Sequence, residues 1–130
     1  MNIETATVEA FRRDGVVVLR QVFATAWIER LSEGLEENTR EPGPYRREYS
    51  KDGAKDIFFG DYCNWRRIKG CWVFVLASPA ASIARTLMGS DKVNFFHEHV
   101  LVKSPGTEKS TPWHHDHPYF CIDGMDTCSL

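Results

Sequence analysis

Residues 111–120, with the sequence TPWHHDHPYF, most constrain the fold, because they place a histidine and a carboxylate two positions apart between two prolines. Side chains two apart on an extended backbone point to the same side, so His114 and Asp116 can bind adjacent positions of one metal ion. With a second histidine this set forms the facial triad of non-heme Fe(II) oxygenases, which leaves positions open for cosubstrate and dioxygen. An H-x-D triplet alone is weak evidence, since it arises often by chance, and only 14 residues follow Asp116.

The segment before this motif, residues 93–106, is rich in β-branched and aromatic residues and closes with a Pro-Gly turn, which predicts a strand. If it is extended, His97, His99 and Lys103 share one face, and Glu98, Val100 and Val102 share the other. In one interpretation the histidine face lines a pocket for a metal and an anionic cosubstrate. In the other it is a solvent-facing surface, and the Glu98 face packs inward.

The order of these features resembles the phytanoyl-CoA dioxygenase family. That family shows an aromatic-rich strand ending in lysine, a Pro-Gly loop, then a Trp-His-x-Asp motif and a proline-aromatic pair. Each of these elements is present here in the same order, with His115 at the position where the family often has glutamine. Residues 11–19 are similar to the family's opening helix, Asp-Gly turn and strand, and residues 78–90 to the helix before the metal-binding strands. The resemblance implies an Fe(II)- and 2-oxoglutarate-dependent dioxygenase that hydroxylates a small-molecule substrate.

The resemblance also implies roles for individual residues. His114 and Asp116 are expected to bind Fe(II), His99 and Lys103 to contact 2-oxoglutarate, and His117 and Phe120 to contact substrate. For the last two, an ordinary place in a turn and in the core is an equal alternative. Trp113 and Phe120 are expected to shield the site from water. A different chelate stays open, a structural zinc site of four imidazoles, formed by His97, His99, His115 and His117.

The expected fold class is α+β, with N-terminal helices packed on part of a double-stranded β-helix, a cupin-like jelly roll. Residues 1–130 are expected to form a single, incomplete domain, because residues 122–130 resemble the approach to the next core strand. The family's distal histidine and carboxylate-binding arginine lie downstream, whereas the last arginine here is Arg85 and no histidine follows His117. The alternative is a non-catalytic truncated remnant, or a small metal-binding module, that self-associates through unpaired strand edges.

Local patterns predict the remaining elements. Trp27, Leu31 and Leu35 recur at helical spacing in the clearest helix, residues 24–40, with Thr25 as its cap. The other predictions are helices at residues 5–13 and from Ser78 to Gly89, strands at 16–19 and 111–120, a loop at 45–54, a strand or cavity lining at 56–60, and a helix or strand at 65–76.

Composition limits the class of protein. A content of 42% hydrophobic and 26% charged residues with a net charge of -2 is typical of soluble globular proteins and argues against a nucleic-acid binder. The N-terminus lacks the features of a signal peptide, and no apolar run is long enough for a membrane helix. Four cysteines without C-x-x-C spacing predict free thiols in the cytoplasm. Composition thus argues against nucleic-acid and membrane partners, while the resemblance implies a small-molecule substrate and dioxygen.

Overall fold

The computed structural model describes residues 3–50, 53, 57–124 and 126–130. These form four helices, three strands and one short 3-10 helix, so the predicted α+β class is confirmed. In chain order the elements are α1 (Thr5–Asp14), α2 (Thr25–Arg40), β1 (Arg47–Glu48), β2 (Phe58–Tyr62), α3 (Lys69–Ala77), α4 (Ala80–Met88), β3 (His99–Lys103) and the 3-10 helix His117–Tyr119.

The three strands form an open antiparallel sheet in the order β1-β2-β3. Tyr62 pairs with His99 and Phe58 with Lys103, so both predicted cosubstrate contacts lie on one face of the sheet. That face is exposed at His99 and Lys103, whereas Val100 and Val102 on the other face are half-buried. The exposure matches the solvent-facing interpretation of this strand. The double-stranded β-helix stays a prediction, because the described residues contain only this open sheet.

The helices pack around a small apolar core. Phe59, Ile68 and Ile83 are almost wholly buried. Between α2 and α3, the Phe74 ring lies 5.8 Å from the ring of Trp27. A Cβ added at Gly70 would lie 2.5 Å from the carbonyl oxygen of Arg30, so the two helices approach as closely as only glycine allows.

Helix ends follow the predicted signals in most places. Gly15 and Gly89 end α1 and α4 in the left-handed conformation, with φ of 74° and 67°. Pro79, predicted at an early position of the helix, is the N-cap of α4, and residues 69–76 of the ambiguous segment lie in α3. The cap of α2 was wrongly assigned: Ala24 is the N-cap and Thr25 is the first helical residue.

Two predicted strands are wrong. Residues 16–19 form no strand, and Val16 and Val18 are 68% and 70% exposed, because no described strand lies beside them to bond their backbone. Residues 111–116 are irregular, since Pro112 has no N–H for a ladder and Pro118 lies in the 3-10 helix. The strand at 93–103 is shorter than predicted and begins at His99.

The segment 45–60 divides into three parts. Its first part, predicted as loop, contains the two-residue strand β1. Residues 51, 52 and 54–56 lie outside the described residues, so those parts of the predicted loop and strand are not described. The remainder forms β2, which confirms a strand at this place.

Within the described ranges, no single helix is long and apolar enough to cross a membrane; α3 and α4, which meet at a 46° bend, pass that test only as a pair and only by length and composition.

Candidate functional site

The structure brings His114 and Asp116 together, although the backbone between them is not a strand. His114 Nε2 lies 3.4 Å from Asp116 Oδ1, and the two side chains are 47% and 60% exposed. His114 Nδ1 lies 2.8 Å from the carbonyl oxygen of Pro112. If Nδ1 donates its hydrogen to that oxygen, the lone pair of Nε2 is directed away from the backbone and is free to bind a metal.

This donor pair fits two positions of an Fe(II) site in its chemistry. Imidazole nitrogen and carboxylate oxygen are the donor types of the facial triad. Two donors each about 2.1 Å from an ion at a right angle lie about 3 Å apart, close to the spacing of His114 Nε2 and Asp116 Oδ1. A third ligand is not assembled, since no group of three or more histidine, cysteine or acidic side chains among the described residues could hold a metal ion. The same finding gives no support to the four-imidazole zinc site.

The neighbouring residues of the motif lie at the surface. His115 and His117 are exposed, and His117 begins the 3-10 helix. Trp113 was expected to shield the site, but this expectation is wrong for the described chain, because its side chain is fully exposed. Phe120 turns inward instead and is half-buried.

Aromatic rings connect this motif to the sheet. The Phe120 ring lies 5.5 Å from the imidazole of His97 and 5.7 Å from the ring of Phe96. On β2, Tyr62 lies 6.1 Å from His97 and 5.6 Å from His99, edge to face in both cases. The predicted substrate and cosubstrate contacts, Phe120 and His99, therefore belong to one aromatic cluster that also includes Phe96, His97 and Tyr62.

The electrostatics around His99 favour a neutral imidazole. Although the His99 side chain reaches solvent, partial burial of its ring lowers the pKa of His99 below its ordinary value of 6.5, and the nearby His97 lowers this pKa further. Three carboxylates oppose the shift without cancelling it: Asp116, Asp61 and Glu98. Because the Asp116 carboxylate raises the pKa of His99, the His114–Asp116 pair lies within electrostatic reach of the end of the sheet.

Lys103 lies at the far end of β3 and is fixed by its neighbours. Its ammonium donates a hydrogen bond of 2.5 Å to the carbonyl oxygen of Lys109 and lies 5.2 Å from the ring of Phe58. The charged group is therefore held by the loop that joins β3 to the metal motif. It lies on the same face of the sheet as His99, which is the arrangement that a role in binding an anion requires.

A buried polar network beneath the site was missed by sequence reasoning. The Asp61 carboxylate accepts hydrogen bonds from Asn38 Nδ2 at 2.9 Å, from the backbone N–H of Gly43 at 2.7 Å and from that of Tyr62 at 3.0 Å. Burial raises the pKa of Asp61, but these hydrogen bonds together lower it below the ordinary value of 3.8. The available signal was Asn38, which follows Leu35 by three residues and so continues the apolar stripe of α2 with a polar side chain.

A second part of this network reaches Glu98, the residue between His97 and His99. Asn64 is 2% exposed, and its backbone N–H donates a hydrogen bond of 2.5 Å to Glu98 Oε1. The Asn64 side chain donates to the carbonyl oxygen of Tyr62 and accepts from Arg67. Glu98 thus ties the segment that carries His97 and His99 to the turn after β2.

Comparison with known families decides the ancestry of this site. The model of the phytanoyl-CoA dioxygenase family matches residues 11–130. The chain belongs to the phytanoyl-CoA dioxygenase family. No curated protein and no solved structure matches the chain. The family is one of dioxygenases, and its members generally depend on Fe(II) and 2-oxoglutarate, so membership supports this general kind of function.

Proposed function

We propose that this chain carries the metal-binding motif of an Fe(II)- and 2-oxoglutarate-dependent dioxygenase that hydroxylates a small-molecule substrate. The observation that carries the proposal is the pairing of His114 Nε2 with Asp116 Oδ1 at 3.4 Å. The contact of His114 Nδ1 with the Pro112 carbonyl oxygen at 2.8 Å supports it, because a ring that donates from Nδ1 to that oxygen can bind a cation through Nε2, the nitrogen facing Asp116.

Fe(II) and 2-oxoglutarate, when bound, supply the oxidation: dioxygen gives one oxygen atom to the succinate formed from 2-oxoglutarate, with release of CO₂, and the other to the substrate C–H bond. The protein's own residues orient and enclose the reactants. His114 and Asp116 present the two donor atoms, and Lys103 provides a fixed positive charge for a carboxylate of the cosubstrate. His99, neutral near pH 7, can exchange hydrogen bonds with the same molecule.

The substrate side is proposed to lie at Phe120 and His117. The half-buried Phe120 ring packs on His97 and Phe96 and presents an apolar surface next to the metal motif. His117 is exposed at the start of the 3-10 helix and is free to contact a polar group of the substrate. An apolar wall with one polar contact is typical of small-molecule sites.

Replacing each histidine of the motif tests the metal assignment. His114→Ala and Asp116→Ala should each weaken Co(II) binding at least tenfold, since each removes one of two donors to the ion. His115→Ala and His117→Ala, the matched controls from the same segment, should leave it unchanged. Co(II) titration followed by visible absorption measures the affinity. Loss of binding in the two controls with retention in His114→Ala would show that the assignment is wrong.

A second variant tests the cosubstrate assignment separately from the metal. Lys103→Met keeps an unbranched side chain one atom shorter and removes its charge, so it should weaken 2-oxoglutarate binding to the Co(II)-loaded chain about tenfold. The affinity for Co(II) itself should stay as in the unaltered chain. Isothermal calorimetry with each ligand in turn gives both values, and an unchanged affinity for 2-oxoglutarate would make Lys103 an ordinary surface residue. The matched control is Lys92→Met, an exposed lysine before β3.

A further inference from the structure

Glu98 is held at both its backbone and its side chain by one turn. Its carbonyl oxygen accepts a hydrogen bond of 3.3 Å from the N–H of Cys63, and its Oε1 accepts one of 2.5 Å from the N–H of Asn64. Two consecutive N–H groups of the turn after β2 therefore bind one residue. This attachment fixes the path of the chain at the point where it enters β3.

The turn that holds Glu98 is itself rigidly built. Cys63 has a φ of 64°, which non-glycine residues adopt only where the surrounding structure imposes it. Asn64 is packed so closely on Gly43 that a Cβ added there would lie 1.9 Å from Asn64 Oδ1. Gly43 is bound in turn to the buried Asp61 carboxylate. The hold on Glu98 thus extends through buried contacts to the end of α2.

The two imidazoles beside Glu98 have no comparable attachment. Among the described residues, His97 and His99 make no side-chain hydrogen bond. His97 lies against the rings of Tyr62, Phe96 and Phe120. His99 lies against the Tyr62 ring and over Gly60, where an added Cβ would be 2.9 Å from His99 Nε2. Ring contacts of this kind contribute about 1 kcal/mol each and do not fix an orientation strongly. The position of both imidazoles therefore depends on the backbone that Glu98 holds.

Stability alone does not account for a glutamate at this place. Glu98 Oε2 is buried and has no hydrogen-bond partner in the described part of the chain, and no cation there forms an ion pair with this carboxylate. A buried carboxylate with an unpaired oxygen and no counter-charge costs free energy. Unfavourable groups that persist in this way concentrate at functional sites.

We infer that Glu98 is a positioning residue of the site: held by the N–H groups of Cys63 and Asn64, it sets the place of His97 and His99 against Phe120 and the His114–Asp116 pair. The effect of this positioning on 2-oxoglutarate binding rests on the proposed function. The inference adds to that function a residue that touches neither metal nor cosubstrate and acts through its two neighbours.

The test compares three substitutions at this position with a matched control. Glu98→Ala removes the acceptor, Glu98→Asp withdraws it by one methylene, and Glu98→Gln keeps an acceptor oxygen at full length. Glu48→Ala removes an exposed glutamate of the same sheet, whose side chain bonds to Arg46 at 3.0 Å and to no other residue in the described part of the chain. The first readout is the set of NOEs between the His97 and Phe120 rings in the metal-free chain. The second is the dissociation constant of 2-oxoglutarate with the Co(II)-loaded chain.

The expected result is loss of the His97–Phe120 NOEs in Glu98→Ala, their retention in Glu98→Gln, and no change in Glu48→Ala. The dissociation constant for 2-oxoglutarate should rise about tenfold in Glu98→Ala, because the imidazoles lose their position, and return toward the original value in Glu98→Gln, whose amide oxygen can still accept from the Asn64 N–H. A residue that only stabilised the fold would lower the melting temperature of Glu98→Ala and leave the NOEs of the folded chain unchanged.

The outcomes separate this inference from the proposed function. If the unaltered chain does not bind 2-oxoglutarate, the proposed function fails, and the NOEs still decide whether Glu98 positions the imidazoles. NOEs that persist in Glu98→Ala would overturn the positioning role. Should Glu98→Ala not fold, Glu98→Asp replaces it: weakened NOEs there, with intact ones in Glu98→Gln, support the role, and identical NOEs in both refute it.

Discussion

At the scale of single residues, Asp61 shows how one carboxylate holds several segments together. It is wholly buried and accepts hydrogen bonds from α2, from the backbone after α2 and from its own strand. Its charge is stabilised by these donors rather than by a cation, since no ion pair to it occurs among the described residues. Removing the carboxylate leaves the N–H of Gly43 and the amide of Asn38 buried without an acceptor.

Asp61→Ala should therefore lower the free energy of unfolding by about 3 kcal/mol, because buried donors lose their acceptor. Urea unfolding measures this, with Asp14→Ala as the control: that side chain is exposed and paired with Arg13, so its loss should cost less than about 0.5 kcal/mol. A cost for Asp61→Ala no larger than that of the control would contradict the network.

The same residue predicts a dependence of stability on pH. The pKa of Asp61 in the folded chain lies below 3.8, so the unfolded chain binds the proton more tightly. Its contribution to stability is fully present above the ordinary value and is lost as the pH falls toward the folded pKa. The difference in stability between the original chain and Asp61→Ala should accordingly shrink in this acid range.

The sequence could indicate His114 and Asp116 but not the residues beneath them. Their spacing on an extended backbone predicted that the two side chains lie close together, and they do so although the predicted strand is absent. Asp61, Asn64 and Glu98 carry no such local pattern. Asp61 bonds to Asn38 and Gly43, 23 and 18 residues away, and Asn64 bonds to Glu98, 34 residues away. Such pairings are visible only after the chain folds.

At the scale of elements, α2 and α3 are packed by glycines. Gly34 in α2 faces Ile68 and Cys71, and Gly70 in α3 faces the backbone of Arg30. Small residues at a crossing bring helix axes close, but an isolated helix is weakened by glycine. The contact is therefore favourable only in the folded pair.

Gly70→Ala should destabilise the chain by about 1–3 kcal/mol, although alanine favours a helix over glycine by about 1 kcal/mol, because the new methyl group would meet the Arg30 carbonyl oxygen. Gly34→Ala is the matched comparison and should cost less, since its nearest neighbour, 3.0 Å away, is a side-chain methyl group of Ile68. Thermal unfolding of both variants measures the difference, and a stabilised Gly70→Ala would refute the close packing.

Helices and strands could be predicted where the sequence pattern is long and does not depend on a distant partner segment. The stripe of Trp27, Leu31 and Leu35 identified α2 because sixteen residues of helix repeat the signal several times. The valines at 16–19 have the propensity of a strand, but a strand also needs a neighbour, and none of the described strands lies beside them. Propensity alone could not supply that information.

At the scale of the whole molecule, the chain exposes more surface than its length requires. Its accessible area is 10067 Å², whereas a compact monomer of this size exposes about 7,000 Å². Part of the excess is apolar, including Leu101, Phe96 and Trp113, which are 52%, 51% and 104% exposed. One edge of β3 pairs with no strand among the described residues.

We propose that this edge recruits a second copy, since unpaired strand edges bind other strands. Light scattering of the purified chain should show a mass that rises with concentration. Leu101→Lys places a charge on the exposed face of that edge strand and should lower the association, whereas Val18→Lys, at an exposed site away from the sheet, should not. A monomer at all concentrations would refute this proposal and the self-association on which the non-catalytic alternative depends.

The alternation of faces along β3 has a consequence for how this chain tolerates insertions and deletions. Glu98 is fixed inward, and the residues after it point to alternating sides up to Lys103. A deletion of one residue between Glu98 and Lys103 would shift the register by one position. The half-buried Val100 or Val102 would then face solvent, and an exposed side chain such as His99 would face the interior. The irregular stretch from Gly106 to Asp116 does not have this requirement, because its residues are not paired with another strand in a fixed register. We expect length variation among relatives to accumulate after Gly106 and to be excluded from the six positions 98–103.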